Sequence, residues 1–426
     1  MVQGKLMVVV LLLVTTSRAL AILHTELFNS STINDPLVTI RHECPGMRRA
    51  TTETDLEPLL RDNLEADLRP WRQLGRALTR MDLLNFLAEI NTRWLEYRRN
   101  FLAIVVIRNN VMRWWAYPNA RGWCTRRVKF IAEQFHSFIA SAGLRFPDVV
   151  YVMNGYDKPL CERRNCSAPL FTFDKRWNAS AYAAGLPGSA HDDILHPVMN
   201  HPFEQLVDYP WERKIERGFM RVGIYGAMAY NCSRVLINKV AQTAGGREVL
   251  DVGIYQNRHW RVKVKTVSPV PMELHARWKY LINTDGQSAS WRLAKLLAIN
   301  SAILKYRSDA IEYYYRSLRE GDNYINFDHT DVVEIIKGLK GRDAELQAMA
   351  VRNQMFAFRY LSQLSRAVYA KVSFERYRAL FSDMDEFLRD IPEDFSMPWF
   401  LQYRAKLLAA SDGGEGIDGG MRTANL

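Results

Sequence analysis

Two stretches combine residue types that can hold an anion or move a proton. Trp278 to Lys305 opens with the apolar run Trp-Lys-Tyr-Leu-Ile-Asn, continues as Thr-Asp-Gly-Gln-Ser-Ala-Ser-Trp-Arg, and ends in a Leu-rich run. The first run suits a buried strand, Gly286 supplies a tight turn, and Ser288 or Ser290 can cap a helix whose apolar face carries Leu293, Leu296 and Leu297. Such a passage turns unpaired backbone N–H groups and a helix start outward, and Arg292 adds a fixed positive charge, so a phosphate is favoured there. The same residues also fit an ordinary βα unit with a solvent-facing Arg. Asp157 follows the apolar run Val149 to Met153, at the strand end where open parallel sheets present their ligand-binding loops. A carboxylate there can accept a proton from a hydroxyl, and an Asp near Pro159 is equally common turn chemistry.

Other constellations carry less. Asp383-Met384-Asp385 has the form of a manganese-binding Asp-x-Asp, but it stands between Phe381 and Phe387 in a helical pattern and reads as a solvated helix face. His191, His196 and His201 recur at a spacing that does not line one helix face, which argues against zinc. There is no Gly-x-Ser-x-Gly elbow, Walker loop or Gly-x-Gly-x-x-Gly motif.

The order of short motifs resembles the protein O-glucosyltransferase and capsule-associated glycosyltransferase family. The residues that carry the likeness are Val152-Met153-Asn154-Gly155-Tyr156-Asp157-Lys158-Pro159, Tyr209 to Lys214 before Phe219-Met220-Arg221-Val222-Gly223, Lys279-Tyr280-Leu281 with Gly286 and Ser288 to Leu293, Glu312-Tyr313-Tyr314, Tyr324-Ile325 and Asp331 to Glu334, spread over roughly residues 100 to 380. The resemblance implies a GT-B-like α/β fold of two Rossmann-like domains facing a cleft. It implies Asp157 as the general base of an inverting transfer from a UDP-sugar, UDP-glucose or UDP-xylose, to a hydroxyl of a protein or glycan. The donor would be held by Arg221, Arg234, Gly286, Gln287, Ser288, Ala289 and Arg292, with Glu312 accepting from the ribose, and no cofactor or metal is expected. One departure is Val222 where the family usually has Gly directly after the first Arg. It motivates a second reading, a luminal binding protein of the same fold without catalysis.

The elements that must position these groups can be read from composition and pattern. At 426 residues, with 48% hydrophobic and 12% aromatic content, the chain can bury two cores. A net charge of +11 suits an anionic partner, yet the basic residues are spread along the chain and no nucleic-acid motif accompanies them. Lys5, the apolar run Leu6 to Val14 and Ala19-Leu20-Ala21 read as a signal peptide over residues 1–21, so no stable membrane span is expected after its removal. Sequons at Asn29, Asn165, Asn178 and Asn231 fit the lumen of the secretory pathway, endoplasmic reticulum or Golgi, or secretion. Five cysteines leave at least one thiol over, and Cys161 and Cys166 are close enough to close a small loop.

The expected organisation is a surface-wrapping segment over 22–54, then helices over 55–98, a hairpin of Phe101–Ile107 and Val111–Tyr117 around Asn109-Asn110, and a helix over Val128–Ala142 stopped by Gly143. Val149–Met153 follows as a strand buried on both faces, and 160–200 as a long irregular connection ending the acceptor and base domain, 22–204. A parallel, alternating α/β nucleotide-sugar domain then spans 205–375, helices over 376–410 return to the first domain, and 411–426 is a disordered tail. Trp260 to Lys265 reads as a charged edge strand. The sequons and leader predict that the expressed protein fractionates with luminal contents and gains mobility on gels after peptide N-glycosidase treatment; a cytosolic, unglycosylated product would contradict this assignment.

Overall fold

The computed structural model describes residues 35–412 except 94–100, 117–121, 163–164, 185–187, 199–203 and 227. The signal peptide, Asn29, His201 and the tail from 413 lie outside the described residues. Two five-stranded sheets organise the chain, one built within residues 102–195 and one within 215–327.

The first sheet has the order β3-β2-β4-β5-β7, from β2 (Leu102–Arg108), β3 (Val111–Ala116), β4 (Val149–Asn154), β5 (Phe171–Thr172) and β7 (Ile194–Leu195). Asn109 and Asn110 both adopt positive φ, 52° and 60°, the conformation of a two-residue hairpin turn, and β2 and β3 pair in register from Arg108↔Val111 onward. The sheet is mixed, since β4 runs antiparallel to β2 and parallel to β5. Its burial on both faces does not come from parallel neighbours alone; helices cover it. The helix Gly122–Ala142 ends at Gly143, whose φ of 63° only glycine adopts readily, and the C-terminal helix Gln363–Arg378 packs Phe374 against Tyr151 at 4.8 Å.

The second sheet is wholly parallel, in the order β10-β9-β11-β12-β14: β9 is Ile215–Tyr225, β10 Leu250–Arg258, β11 Trp278–Asn283, β12 Ala302–Tyr306 and β14 Ile325–Phe327. Side chains alternate faces along a strand. Phe219, Leu281 and Ile303 therefore join the large core shared with the first sheet, whereas Met220, Val222, Ile224, Ile282 and Leu304 form a second core under the helix Val332–Leu339. Val222, which departs from the family pattern, spends its side chain in that second core.

Several expectations are corrected. Residues 160–200 are not simply irregular: they supply β5, β7 and the short β6 (Lys175–Arg176), which pairs antiparallel with β13 (Ala310–Ile311) and so joins the two halves. Two-residue strands carry no periodicity of their own and form because burial between neighbours selects them. The segment before residue 54 is partly ordered by a strand, β1 (Thr39–Arg41), on β8 (Leu206–Asp208). Trp260 to Lys265 is not a strand but an irregular arm leaving β10. Cys161 and Cys166 are disulfide-bonded with Cα atoms 5.6 Å apart, and Cys44 and Cys232 are free. Asp383 accepts from the backbone N–H of Arg80 at 2.7 Å and Asp385 pairs with Arg378, structural uses of both carboxylates.

The halves are also joined by Asp67, on the helix Glu53–Arg72. Its buried carboxylate pairs with Lys175 of β6 at 2.6 Å and with Arg316 at 2.7 Å, and accepts from the Leu195 N–H of β7 at 2.9 Å. Burial alone would raise its pKa; the Arg316 and Lys175 charges outweigh that and hold it below the usual value. A depressed folded-state pKa means that this contribution is present above the unfolded pKa and is lost as pH falls through the folded one. Asp67→Ala strands two buried cations, so chemical denaturation at pH 7 should show a loss of about 3–5 kcal/mol, the cost typical of breaking a buried pair from one side.

Candidate active site

Loops at the carboxyl ends of β4 and β11 meet. After β4, Asn154 shapes the turn: its side chain accepts from the Tyr156 N–H at 2.9 Å and donates to the Lys158 carbonyl at 2.8 Å. Tyr156 stacks on Phe101 with ring centroids 4.4 Å apart, and its hydroxyl accepts from the Gln287 amide of the β11 loop at 2.7 Å. Asp157, partly exposed beside Tyr156, is held by Arg127 of the preceding helix, whose guanidinium lies 2.8 Å from its carboxylate and also donates to the Gly155 carbonyl. The same guanidinium lies 4.4 Å from the centre of the Trp291 ring, and the Trp291 indole N–H donates to Asp174 at 3.4 Å. Asp157 is thus oriented through Arg127 by residues of both halves.

Around the β11 loop three arginines converge. Arg234, at the start of the helix Ser233–Val240, donates to the carbonyls of Asp285 at 2.9 Å and Gly223 at 2.6 Å. Arg292 donates to the carbonyls of Arg221 at 2.9 Å and Ile282 at 2.8 Å, tying β9 to β11. Arg221, on β9, pairs with Asp251 at 2.6 Å. Arg234 and Arg292 form no ion pair with any carboxylate among the described residues; backbone carbonyls accept from both, the buried Arg292 Nε finds no partner, and the Asp285 carboxylate offsets the Arg234 charge in part. Burial, then the charge of Arg234, push the Arg292 pKa down to about 9, and burial lowers that of Arg234. Both stay cationic at neutral pH. Two mutually repelling cations at the rim of a loop that also offers Gln287 and Ser288 make a place where an anion is favoured.

The loop is not the helix start expected of it. The helix after Arg292 is four residues, Leu293–Leu296, with no side-chain cap from Ser288 or Ser290, so its dipole contributes little and the guanidinium groups carry the anion affinity. Gly286 is needed for proximity: a Cβ there would stand 3.2 Å from the Arg234 guanidinium. Ala289 and Ser290 are buried. Glu312 is buried too, at 2% exposure, and lies beside Tyr315, whose hydroxyl lies 3.5 Å from the Ser290 carbonyl. Burial pushes its pKa up to about 7, opposed by Arg366 and assisted by Asp285.

Sequence reasoning missed Arg127, Asp174 and the site role of Trp291. Asp174 is buried, and burial, then Glu312 and Asp157, push its pKa well above the usual carboxylate range while Arg127 opposes them. Asp174 lies in the stretch read as an irregular connection, and Arg127 is one of two adjacent arginines on its helix, so neither carried a local signal. Among the described residues no group of three or more His, Cys, Asp or Glu side chains could hold a metal ion, and no helix is long and apolar enough to cross a membrane.

Comparison with known proteins bears on this geometry. Residues 194–384 match the model of Glycosyl transferase family 90. The chain is 25% identical over 251 residues to Protein O-glucosyltransferase 2 of Danio rerio, covering 56% of this chain and 48% of that protein. It is 24% identical over 247 residues to Protein O-glucosyltransferase 1 of Rattus norvegicus (53% and 60%), and 25% identical over 329 residues to Protein O-glucosyltransferase 3 of Homo sapiens (74% and 61%). The chain therefore spans about half to three fifths of the length of these relatives. Among solved structures, Anabaena Alr3699/HepE in complex with UDP-glucose is similar at 10% identity with a TM-score of 0.23, over 45% of this chain and 48% of that one. The motif resemblance and the match agree: residues 194–384, a span that contains Arg221, Arg234, Arg292 and the β11 loop, are similar to glycosyl transferase family 90.

Proposed function

We propose that the protein is an inverting glycosyltransferase that moves glucose or xylose from a UDP-sugar to a hydroxyl of a protein or glycan in the secretory pathway. The observation that carries this reading is the 2.7 Å hydrogen bond from Gln287 to Tyr156, which sets the arginine-flanked donor loop against the turn that presents Asp157. The names of the relatives support glucosyl transfer to protein, and the anion-favouring loop supports a donor that carries a diphosphate.

The diphosphate lies against Gly286 to Ala289, where Arg234 and Arg292 meet its charge and Arg221 braces the strand beneath them. The acceptor hydroxyl enters from the Asp157 side. Its oxygen attacks the anomeric carbon from the face opposite the diphosphate, the bond to the diphosphate breaks, and Asp157 takes the hydroxyl proton. The configuration at carbon inverts. Negative charge grows on the leaving diphosphate as its bond breaks, and guanidinium groups already in place stabilise it without a metal ion. Glu312 is buried beside Tyr315, whose hydroxyl lies 3.5 Å from the Ser290 carbonyl, so it supports the loop and does not itself accept from the ribose.

Incubating the purified protein with a panel of nucleotide sugars and an acceptor, and following diphosphate release, tests the reading; release from a UDP-sugar is expected. Asp157→Asn keeps the turn but cannot accept a full proton, and should lower turnover by roughly 10²- to 10⁴-fold with donor binding intact. Parental turnover in that variant together with a dead Asp285→Asn would move the base to Asp285. Arg292→Ala should weaken UDP-sugar binding by about 1.5–3 kcal/mol by calorimetry, the usual worth of a hydrogen bond to a charged group. Unchanged affinity would remove Arg292 from the donor site.

A further inference from the structure

The arm that follows β10 is used by nothing so far described. From Val252 to Met272 the sequence contains no Asp or Glu, but has Arg258, Arg261, Lys263 and Lys265. None of the four forms an ion pair among the described residues, and all four are exposed. Trp260 stands among them at 71% exposure. Tryptophan is a residue that folding normally covers, and one surrounded by unpaired cations is the composition of a recognition surface more than of a solvated loop.

The arm is held in place. His259, buried, approaches the Met228 carbonyl at 2.9 Å and its backbone N–H donates to the Asn257 side chain at 2.9 Å. Asn257 in turn donates to the Val262 carbonyl at 2.8 Å, and Val267 donates to the Ile254 carbonyl of β10 at 3.0 Å. Gly253 allows that return, because a Cβ there would lie 2.3 Å from Val267. Arg261 covers the Trp260 ring at 4.2 Å. Arg261 stands in a turn closed by the Val262 N–H on the His259 carbonyl; beyond it, with Val262 buried and Val264 half-buried, Lys263 and Lys265 point outward in the manner of an extended segment. Lys263 and Lys265 are then about 6.6 Å apart along the chain, twice the rise per residue of extended chain. That is the spacing of acidic side chains on every second residue of an extended polypeptide. The arm leaves the sheet where Arg258 lies beside Tyr225, the same carboxyl end of the sheet at which Arg234 and the β11 loop stand.

We propose that this arm is a docking surface for an extended acidic polypeptide segment, bound by Arg261, Lys263 and Lys265 through its carboxylates and by Trp260 through its aliphatic parts, at the edge of the donor half. The proposal goes beyond the catalytic reading: it holds for any sugar and whether or not Asp157 is the base. Its test is fluorescence anisotropy of a labelled peptide of repeating Glu-Ser dipeptides, titrated with the full protein at low and moderate salt. Saturable binding that weakens as salt rises is expected. Trp260→Ala and the double variant Lys263→Glu, Lys265→Glu should each weaken it by roughly tenfold or more, whereas the charge-matched control Lys340→Glu, Lys406→Glu should leave it unchanged. All these side chains are exposed, and circular dichroism confirms that each variant is folded. Equal loss in the control would reduce the effect to net charge and overturn the proposal. So would no binding, or arm-dependent binding of chondroitin sulfate with none of the peptide.

Discussion

Two guanidinium groups, those of Arg234 and Arg292, sit at one end of a parallel sheet, bonded to backbone carbonyls and in an ion pair with no carboxylate among the described residues. Backbone carbonyls are good acceptors, but as neutral dipoles they cannot cancel a full charge, and the two cations lower each other's tolerance for burial. The arrangement is held by the strands themselves: Arg292 reaches the carbonyls of Arg221 and Ile282 and Arg234 reaches that of Gly223, so moving either arginine disturbs β9 or β11. An anion at the β11 loop would relieve the repulsion, and this excess of positive charge is the feature on which the proposed donor site rests.

The position of Asp157 depends on how the halves are joined. Asp67 anchors Lys175 and Arg316 across the junction, the β6–β13 pair adds backbone bonds, and Gln287 meets Tyr156. Arg127 connects these contacts to the chemistry, since it touches both Asp157 and the Trp291 ring, and Trp291 is itself bonded to the buried Asp174. A shift of the donor loop would therefore reach Asp157 through Arg127. The packing that places Asp157 and the packing that places the β11 loop are one network.

Much of this can be read from the chain alone where the determining force is local. Asn109-Asn110 sets a hairpin through its tolerance of positive φ, Gly143 stops a helix for the same reason, and the short, mainly apolar run of β11 marks a strand buried on both faces. The motif order also leads to Asp157, Arg221, Arg234 and the Gly286–Arg292 loop, which the fold brings to adjoining strand ends. Features set by distant partners stay hidden. β5 and β7 are two residues each and exist only because their neighbours cover them. Asp174 owes its raised pKa to burial beside Glu312 and Asp157, and Arg127 its position to Trp291, far along the chain. The alternation over Trp260–Lys265 is present in the sequence, but the arm lacks the ladder of backbone bonds that would make it a strand.

Whether arginine charge does the work of a metal ion at the donor diphosphate is tested most directly by calorimetric titration of the protein with UDP in EDTA, repeated with added manganese or magnesium. A saturable exothermic isotherm is expected in EDTA, with an affinity that the metals leave unchanged. Binding that appears only when a divalent cation is present would contradict the central role given to Arg234 and Arg292.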